Sequence, residues 1–371
     1  MRIALISSCA AEVPTAHRGG HRGGHHGGHH GGHHGGIERF VAELAAELVR
    51  RRHEVMVYAT GASRPAGQLR WCVRAPAWPP SHEREREHAA WAWRDLANQR
   101  VDVVHVNTPD ALAAPSRGDL PTVATLHHAR ADHLVEVIRG ARPAWLVAIS
   151  ERQAALVPEL AIAAVIHHGL DVARYPAGRG DGDYVAFLDR FGPENAPHLA
   201  IGAARAAGVP IHLAGLDWLG TGDDDGDDDG SSAELWPWFT AAGGAARGLG
   251  ELDHGGKLAL LGGARALVMP LGWEEPFGHV MIEAMLVGTP VIAFARGAAP
   301  EIVEEGVTGV LVDDVHGMAS AIRRIHRIDR RACRARARER WSVDRMATAY
   351  EALYRGAACG SASAASLRRH A

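Results

Sequence analysis

Residues 273–294 read WEEPFGHVMIEAMLVGTPVIAF, and this stretch decides the fold. Glu275 falls in a turn, because Pro276 cannot donate a backbone N–H and Gly278 lets the chain approach a ligand closely. Residues 278–286 read as a helix that Gly288 stops, and Thr289-Pro290 leads into the apolar strand VIAF. Between Val280 and Ala295 the only charged side chain is Glu283. A lone carboxylate on an apolar helix is costly to bury unless hydrogen-bond donors meet it. The N–H groups that open such a helix form an anion site. Two carboxylates, a helix start and a glycine turn therefore converge. The plainer alternative is a buried βαβ helix whose glutamate finds a structural partner.

Upstream of this stretch, YVAFLDR (184–190), HLAIGAARAAG, IHLAG and KLALLGGARALVMP alternate strand and helix patterns. The acidic tract 222–230 interrupts them. Asp225, Asp227, Asp229 and Gly230 imitate a calcium loop, but its twelfth position is Trp236 where a bidentate Glu is needed, so the tract reads as a solvated loop. The first half carries a second alternation: the strands RIALIS, EVMVYA, VDVVHV, PTVATLH and WLVAIS, with helices at IERFVAELAAELVRRR and around residues 83–98. Such alternation predicts α/β architecture with parallel, doubly wound sheets, whose sites lie beyond the strand C-termini. There stand the loop after the first strand, His127, and Ser150-Glu151. His105 in VDVVHV reads as a packing residue.

With 371 residues and 47% apolar content, two packed domains are expected. A polar, glycine-rich run at 171–183 marks their connection. The domains are expected at 1–172 and 173–341, followed by a C-terminal segment 342–371 with a helix near 343–354 and a disordered tail. A net charge of −3 gives no electrostatic case for nucleic-acid binding. The four cysteines are scattered without a C-x-x-C pair, which suits a reducing cytoplasm. Ile6-Ser7-Ser8-Cys9 imitates a lipoprotein box, but the apolar run before it is too short for a signal, and no stretch is long enough to span a membrane. A soluble, cytoplasmic protein is expected. The arginine-rich run 323–340 reads as a solvated helix face, or as a surface for an anionic membrane or substrate. The repeat GGHRGGHHGGHHGGHHGG within 17–36 is either a metal-capturing imidazole tract or a flexible glycine expansion. The second reading is preferred, since ordering a flexible tract around a metal costs entropy at every ligand.

Glu275 and Glu283 have the E-x7-E spacing, set in EPFG, EAM and GTPVIA, and the flanks ALVMPL and GAAPEIVEEGVTGVLVDD continue the pattern. The chain thereby resembles glycosyltransferase family 4, the retaining, nucleotide-sugar-dependent enzymes of GT-B fold. GGIER at 35–39, AISER and VIHHGLDVARYP also resemble family segments. The resemblance implies two Rossmann-like domains facing a cleft, with a C-terminal helix crossing back to the first. It implies Glu283 on the ribose hydroxyls, Glu275 on a sugar hydroxyl, and backbone amides of Phe277, Gly278, His279 and Val280 toward sugar and phosphate. Arg190 and the Gly36 amide would meet the diphosphate, and His127 would lie near the transferred sugar, although His128 replaces the glycine that usually follows. No metal or other cofactor is required. The partners implied are a nucleotide-sugar donor and a hydroxyl acceptor whose identity, whether sugar, lipid-linked or small molecule, is not readable.

One departure stands out. Where the family has G-R-x4-K-G, this chain has Asp189, Arg190, Asn195 and Ala196. Two cations meet the negative charge that builds on the departing diphosphate. Asn195 is expected to donate a hydrogen bond there without carrying charge, and Asp189 to add repulsion if it faces the phosphate. The sequence thus predicts a transferase of weakened activity. Its alternatives are a degenerate nucleotide-sugar-binding protein and a same-fold nucleotide-sugar epimerase.

Overall fold

The computed structural model describes residues 1–14, 36–76, 81–115, 119–215 and 244–360. The His-Gly repeat, Gly35, the acidic tract 222–230 and the tail beyond residue 360 lie outside the described residues. The described chain falls into two compact units, one formed by 1–171 and 341–360, the other by 172–340.

In the first unit, β1 (Arg2–Ile6), β2 (Glu54–Tyr58), β3 (Gln68–Arg70), β4 (Val103–Val106), β5 (Thr122–Leu126), β6 (Trp145–Ala148) and β7 (Ile162–Val165) form one sheet in the order 3-2-1-4-5-6-7. Every described pairing in it is parallel. Parallel strands are covered on both faces, which is why they read as unbroken apolar runs. The connecting helices are α1 (Gly36–Arg50), α2 (His82–Leu96), α3 (Pro109–Ala113), α4 (Asp132–Gly140) and α5 (Glu151–Leu156). Ser150, at the end of β6, is spent as the cap of α5, its Oγ accepting from the Gln153 N–H at 3.0 Å.

The second unit has β8 (Val185–Leu188), β9 (Ile211–Ala214), β10 (Ala246–Gly248), β11 (Leu267–Met269), β12 (Val291–Phe294) and β13 (Gly309–Val312) in the order 10-9-8-11-12-13, again parallel. Its described helices are α6 (Pro197–Ala207), α7 (His254–Gly263), α8 (His279–Leu286), α9 (Ala299–Ile302), α10 (Val315–Arg324) and α11 (Arg330–Arg340). In both sheets the order reverses beside the first strand, where ligands of doubly wound folds bind.

The last helix, α12 (Val343–Ala358), returns to the first unit and places Met346, Tyr350, Leu353 and Tyr354 in its core beside α1. A buried polar chain registers it there. The Tyr354 hydroxyl meets His105 Nδ1 at 2.7 Å, His105 Nε2 meets Thr125 Oγ1 at 2.7 Å, and Thr125 meets the Tyr350 hydroxyl at 2.8 Å. Complete burial pushes the His105 imidazole down to about 3, so it stays neutral. The arginines of α11 are largely committed inward or to neighbouring acids. Arg330 binds the carbonyls of Ala264 and Gly262, Arg334 the Tyr175 carbonyl, and Arg336 the Glu304 carboxylate.

Candidate active site

In the second unit the chain leaves β11 and turns through residues 270–278 before α8. Gly278 adopts φ 89°, a left-handed conformation suited to glycine, and caps the helix without a side chain. Gly297, at φ 55°, lies against the Glu275 backbone, where a Cβ would come within 2.4 Å of the Glu275 nitrogen. The neighbouring Ala298 N–H donates to the Glu275 carbonyl at 2.9 Å. These contacts fix the turn from behind. The half-buried Glu275 carboxyl accepts from the Phe277 N–H at 3.4 Å. It is pushed up to about 7, chiefly by burial and then by the charge of Asp189; the amides of Phe277 and Gly278 and the Arg190 cation pull the other way. Near neutral pH it is therefore divided between an ionised form, which only accepts hydrogen bonds, and a protonated form, which also donates one.

Glu283 is 5% exposed. The Tyr175 hydroxyl donates to its Oε1 at 3.3 Å, and the Tyr175 ring packs edge-on against His254 at 5.6 Å. Tyr175 was not singled out in the sequence, although its segment 165–176 was; nothing in spacing alone ties it to a glutamate 108 residues on.

The loop after β8 carries the departure from the family pattern. Asp189 Oδ1 accepts from the Arg190 N–H at 2.7 Å, and burial pushes the Asp189 carboxyl up to about 6. The Arg190 residue itself is exposed. Asn195 overturns its expectation as a donor contact, since it is 2% exposed and occupied within the protein. Its Nδ2 donates to the Arg190 carbonyl at 3.0 Å and its Oδ1 accepts from Trp273 Nε1 at 3.2 Å. It ties this loop to the 270–278 turn. Ala196 sits at φ 48°, ψ 50° as the N-cap of α6, the left-handed conformation that a glycine would hold without strain.

In the first unit Gly36 opens α1 with no atom within 4 Å of where a Cβ would stand. His127 follows β5. Its ring stacks on His168 at 5.5 Å and 3°, while Phe40 of α1 packs edge-on against it at 4.8 Å. His127 Nε2 lies 3.1 Å from Asn107 Oδ1, and Asn107 Nδ2 donates to the Ile6 carbonyl at 3.0 Å. A carbonyl only accepts, so the Asn107 amide has one possible orientation and His127 Nε2 must be the N–H donor. Nδ1 then carries the lone pair. Burial, and next the neighbouring His168, hold the His127 imidazole well below its ordinary value, so it is neutral at physiological pH. The ring also forms part of an apolar crevice with Thr108, Leu126 and Leu134. Asn107, His168 and Phe40 were not foreseen, because each acts through tertiary contact rather than through a local pattern. Among the described residues, no three His, Cys, Asp or Glu side chains gather to hold a metal.

Two family models match the chain, Glycosyltransferase Family 4 over residues 34–174 and Glycosyl transferases group 1 over residues 177–340. The glycogen synthase of Mycobacterium tuberculosis is 31% identical over 264 residues, 61% of this chain and 60% of its own length. The chain thus spans about 60% of the length of that curated relative. A phosphatidyl-myo-inositol mannosyltransferase of Mycolicibacterium smegmatis is 30% identical over 280 residues, covering 67% of this chain and 70% of the relative. Among solved structures, Anabaena HepE in complex with UDP-glucose superposes with a TM-score of 0.67 at 19% identity, covering 95% of this chain and 99% of that one.

Proposed function

The chain belongs to glycosyltransferase family 4 and has the GT-B fold, and from that premise we propose that it moves a sugar from a nucleotide-diphosphate sugar to an acceptor hydroxyl with retention of configuration. The observation that carries the reading is the pairing of a titratable Glu275 on a rigid turn with a buried Glu283 on the helix that the turn opens. In this reading Glu283, steadied by Tyr175, accepts from the ribose hydroxyls. Glu275 and the amides of Phe277, Gly278, His279 and Val280 hold the sugar and phosphate, and Arg190 meets the diphosphate. That HepE was solved with UDP-glucose supports a nucleotide-sugar donor.

Catalysis then rests on stabilising charge as it moves to the departing diphosphate, and on placing the acceptor hydroxyl against the anomeric carbon. His127 contributes a neutral ring whose Nδ1 accepts a hydrogen bond from a hydroxyl of the sugar or acceptor. No metal enters the scheme, so a chelator leaves the rate unchanged.

Asn195 favours a second reading, a binder of nucleotide sugars with little turnover, because the position of the usual lysine is filled by a buried structural amide. The deciding experiment incubates the protein with UDP-, GDP- and ADP-sugars and a panel of hydroxyl acceptors, and follows nucleoside diphosphate release. Acceptor-stimulated release from one donor is the expected result. Tight donor binding without release would establish the binder instead, and a donor recovered as its sugar epimer would reveal an epimerase.

A further inference from the structure

The crevice that His127 borders lies wholly within the first unit, between the C-terminal ends of β4 and β5 and the helix α4. Its volume is about 510 Å³, open mouth included. The apolar stripe of α4 is Leu134, Val135 and Ile138, of which only Val135 is buried. Leu134 and Ile138 are half-exposed on the crevice wall, which Leu112 of α3 and Val157 and Leu160 at the end of α5 continue. A concave apolar wall left open to water is surface that a ligand can cover favourably.

The polar groups on that wall decide which ligand. Gln153 is used up: its Oε1 accepts from the Ile149 N–H at 2.8 Å, and its Nε2 donates to the carbonyls of Leu126 at 3.0 Å and His128 at 2.9 Å. Thr125 is closed between His105 and Tyr350. Arg130 donates to Glu159 at 2.9 Å, to Asp132 at 2.8 Å and to the Leu156 carbonyl at 2.8 Å, so two carboxylates already balance its charge. Thr108 Oγ1 accepts from the Ala111 N–H at 3.1 Å and keeps only its proton to give. His127 keeps the lone pair of Nδ1, and His128 is exposed to solvent.

That inventory suits one hydroxyl and not several. A sugar or polyol in the crevice would leave most of its hydroxyls stripped of water without partners, and an anionic group would meet a cation that is already neutralised. The volume is about three times the ~150 Å³ cavity that takes a benzene, which matches a body of one or two rings. Such a body also loses less conformational freedom on binding than a linear chain of equal size.

We infer that this crevice receives the apolar body of the acceptor, a compact alcohol of one or two rings whose hydroxyl donates to His127 Nδ1. The inference rests on the transfer reading above and narrows its acceptor from any hydroxyl compound to an apolar, uncharged one.

The test has two arms. In the first, naphthol, methyl glucoside and decanol are titrated by calorimetry against the unmutated protein without donor. Naphthol should bind at least about tenfold more tightly than either of the others, and Leu134→Gln should weaken it by about tenfold, one apolar wall contact being lost. Val137→Gln, on the same helix but off the crevice wall and 39% exposed, should leave naphthol binding unchanged. In the second arm, each alcohol is added with UDP-, GDP- and ADP-sugars, and naphthol should stimulate nucleoside diphosphate release most. Methyl glucoside binding as well as naphthol, or naphthol binding that Leu134→Gln does not move, would overturn the assignment of the crevice whether or not transfer occurs. Preferred binding of decanol would overturn the compact body. Naphthol bound in the crevice with no release from any donor would instead defeat the transfer reading, and the acceptor role with it.

Discussion

The histidine cluster of the first unit and the carboxylate loop of the second are built on opposite principles. Around His127 burial governs: Asn107 fixes the tautomer, Phe40 and His168 hold the ring, and desolvation keeps both His127 and His105 uncharged. Around Asp189 and Glu275, by contrast, burial holds both acids above their ordinary range, Asp189 raises Glu275 further and Glu194 raises Asp189, and the exposed Arg190 relieves them only in part. The first region is electrostatically complete as it stands. The second is under charge tension, and titratable groups held away from their ordinary range in one place mark a working site more often than a structural one.

If that contrast is right, adding charge to the second region at the wrong place should be disruptive. Asn195→Lys restores the family residue in sequence, yet it buries an ammonium and removes the links to the Arg190 carbonyl and Trp273. We expect a loss of about 3 kcal/mol, seen as a fall of roughly 5–10 °C in the melting temperature. A folded Asn195→Lys variant of unchanged stability and faster turnover would show that the loop reopens to present the new cation.

The tension itself should be visible in pH. Asp189 and Glu275 are raised in the folded state to about 6 and about 7. The folded protein thus binds protons that the unfolded chain releases near pH 4. Their contribution to stability is full below that point and is lost as pH rises through 6 and 7. The melting temperature should decline across this window. Asp189→Gly should flatten the decline and bring Glu275 down toward the ordinary carboxylate range. A pH profile identical to wild type would mean that the two acids do not interact.

The smallest effect is expected at Ala196. Its left-handed backbone predicts that Ala196→Gly stabilises by about 1 kcal/mol, read from the denaturation midpoint. A lower midpoint would show that the flexibility gained in the unfolded chain outweighs the strain relieved.

Most of the architecture was legible because it is written in local pattern. Apolar runs gave the parallel strands, and Gly278, Gly288 and Thr289-Pro290 bounded the helix and strand that carry Glu283. The E-x7-E spacing was legible for the same reason, since both glutamates belong to one turn and the helix it opens. What pattern could not carry was long-range pairing. Tyr175 reaches Glu283 across 108 residues and Asn107 reaches His127 across 20, and neither separation has a periodicity to betray it. Asn195 was misjudged for a related reason. Its alignment with a phosphate-binding lysine suggested a weakened ligand contact, while Trp273, far along the chain, had taken up its amide.

The account stands most directly on Glu283, and calorimetry with a panel of nucleotide-diphosphate sugars tests it. The wild type should bind one donor. Glu283→Gln, which keeps the side chain's size and an oxygen for the Tyr175 hydroxyl, should melt as wild type does and bind that donor about tenfold to a hundredfold more weakly. Equal donor affinity in the folded variant would contradict the assignment of the ribose to this carboxylate, and with it the donor site described for the second unit.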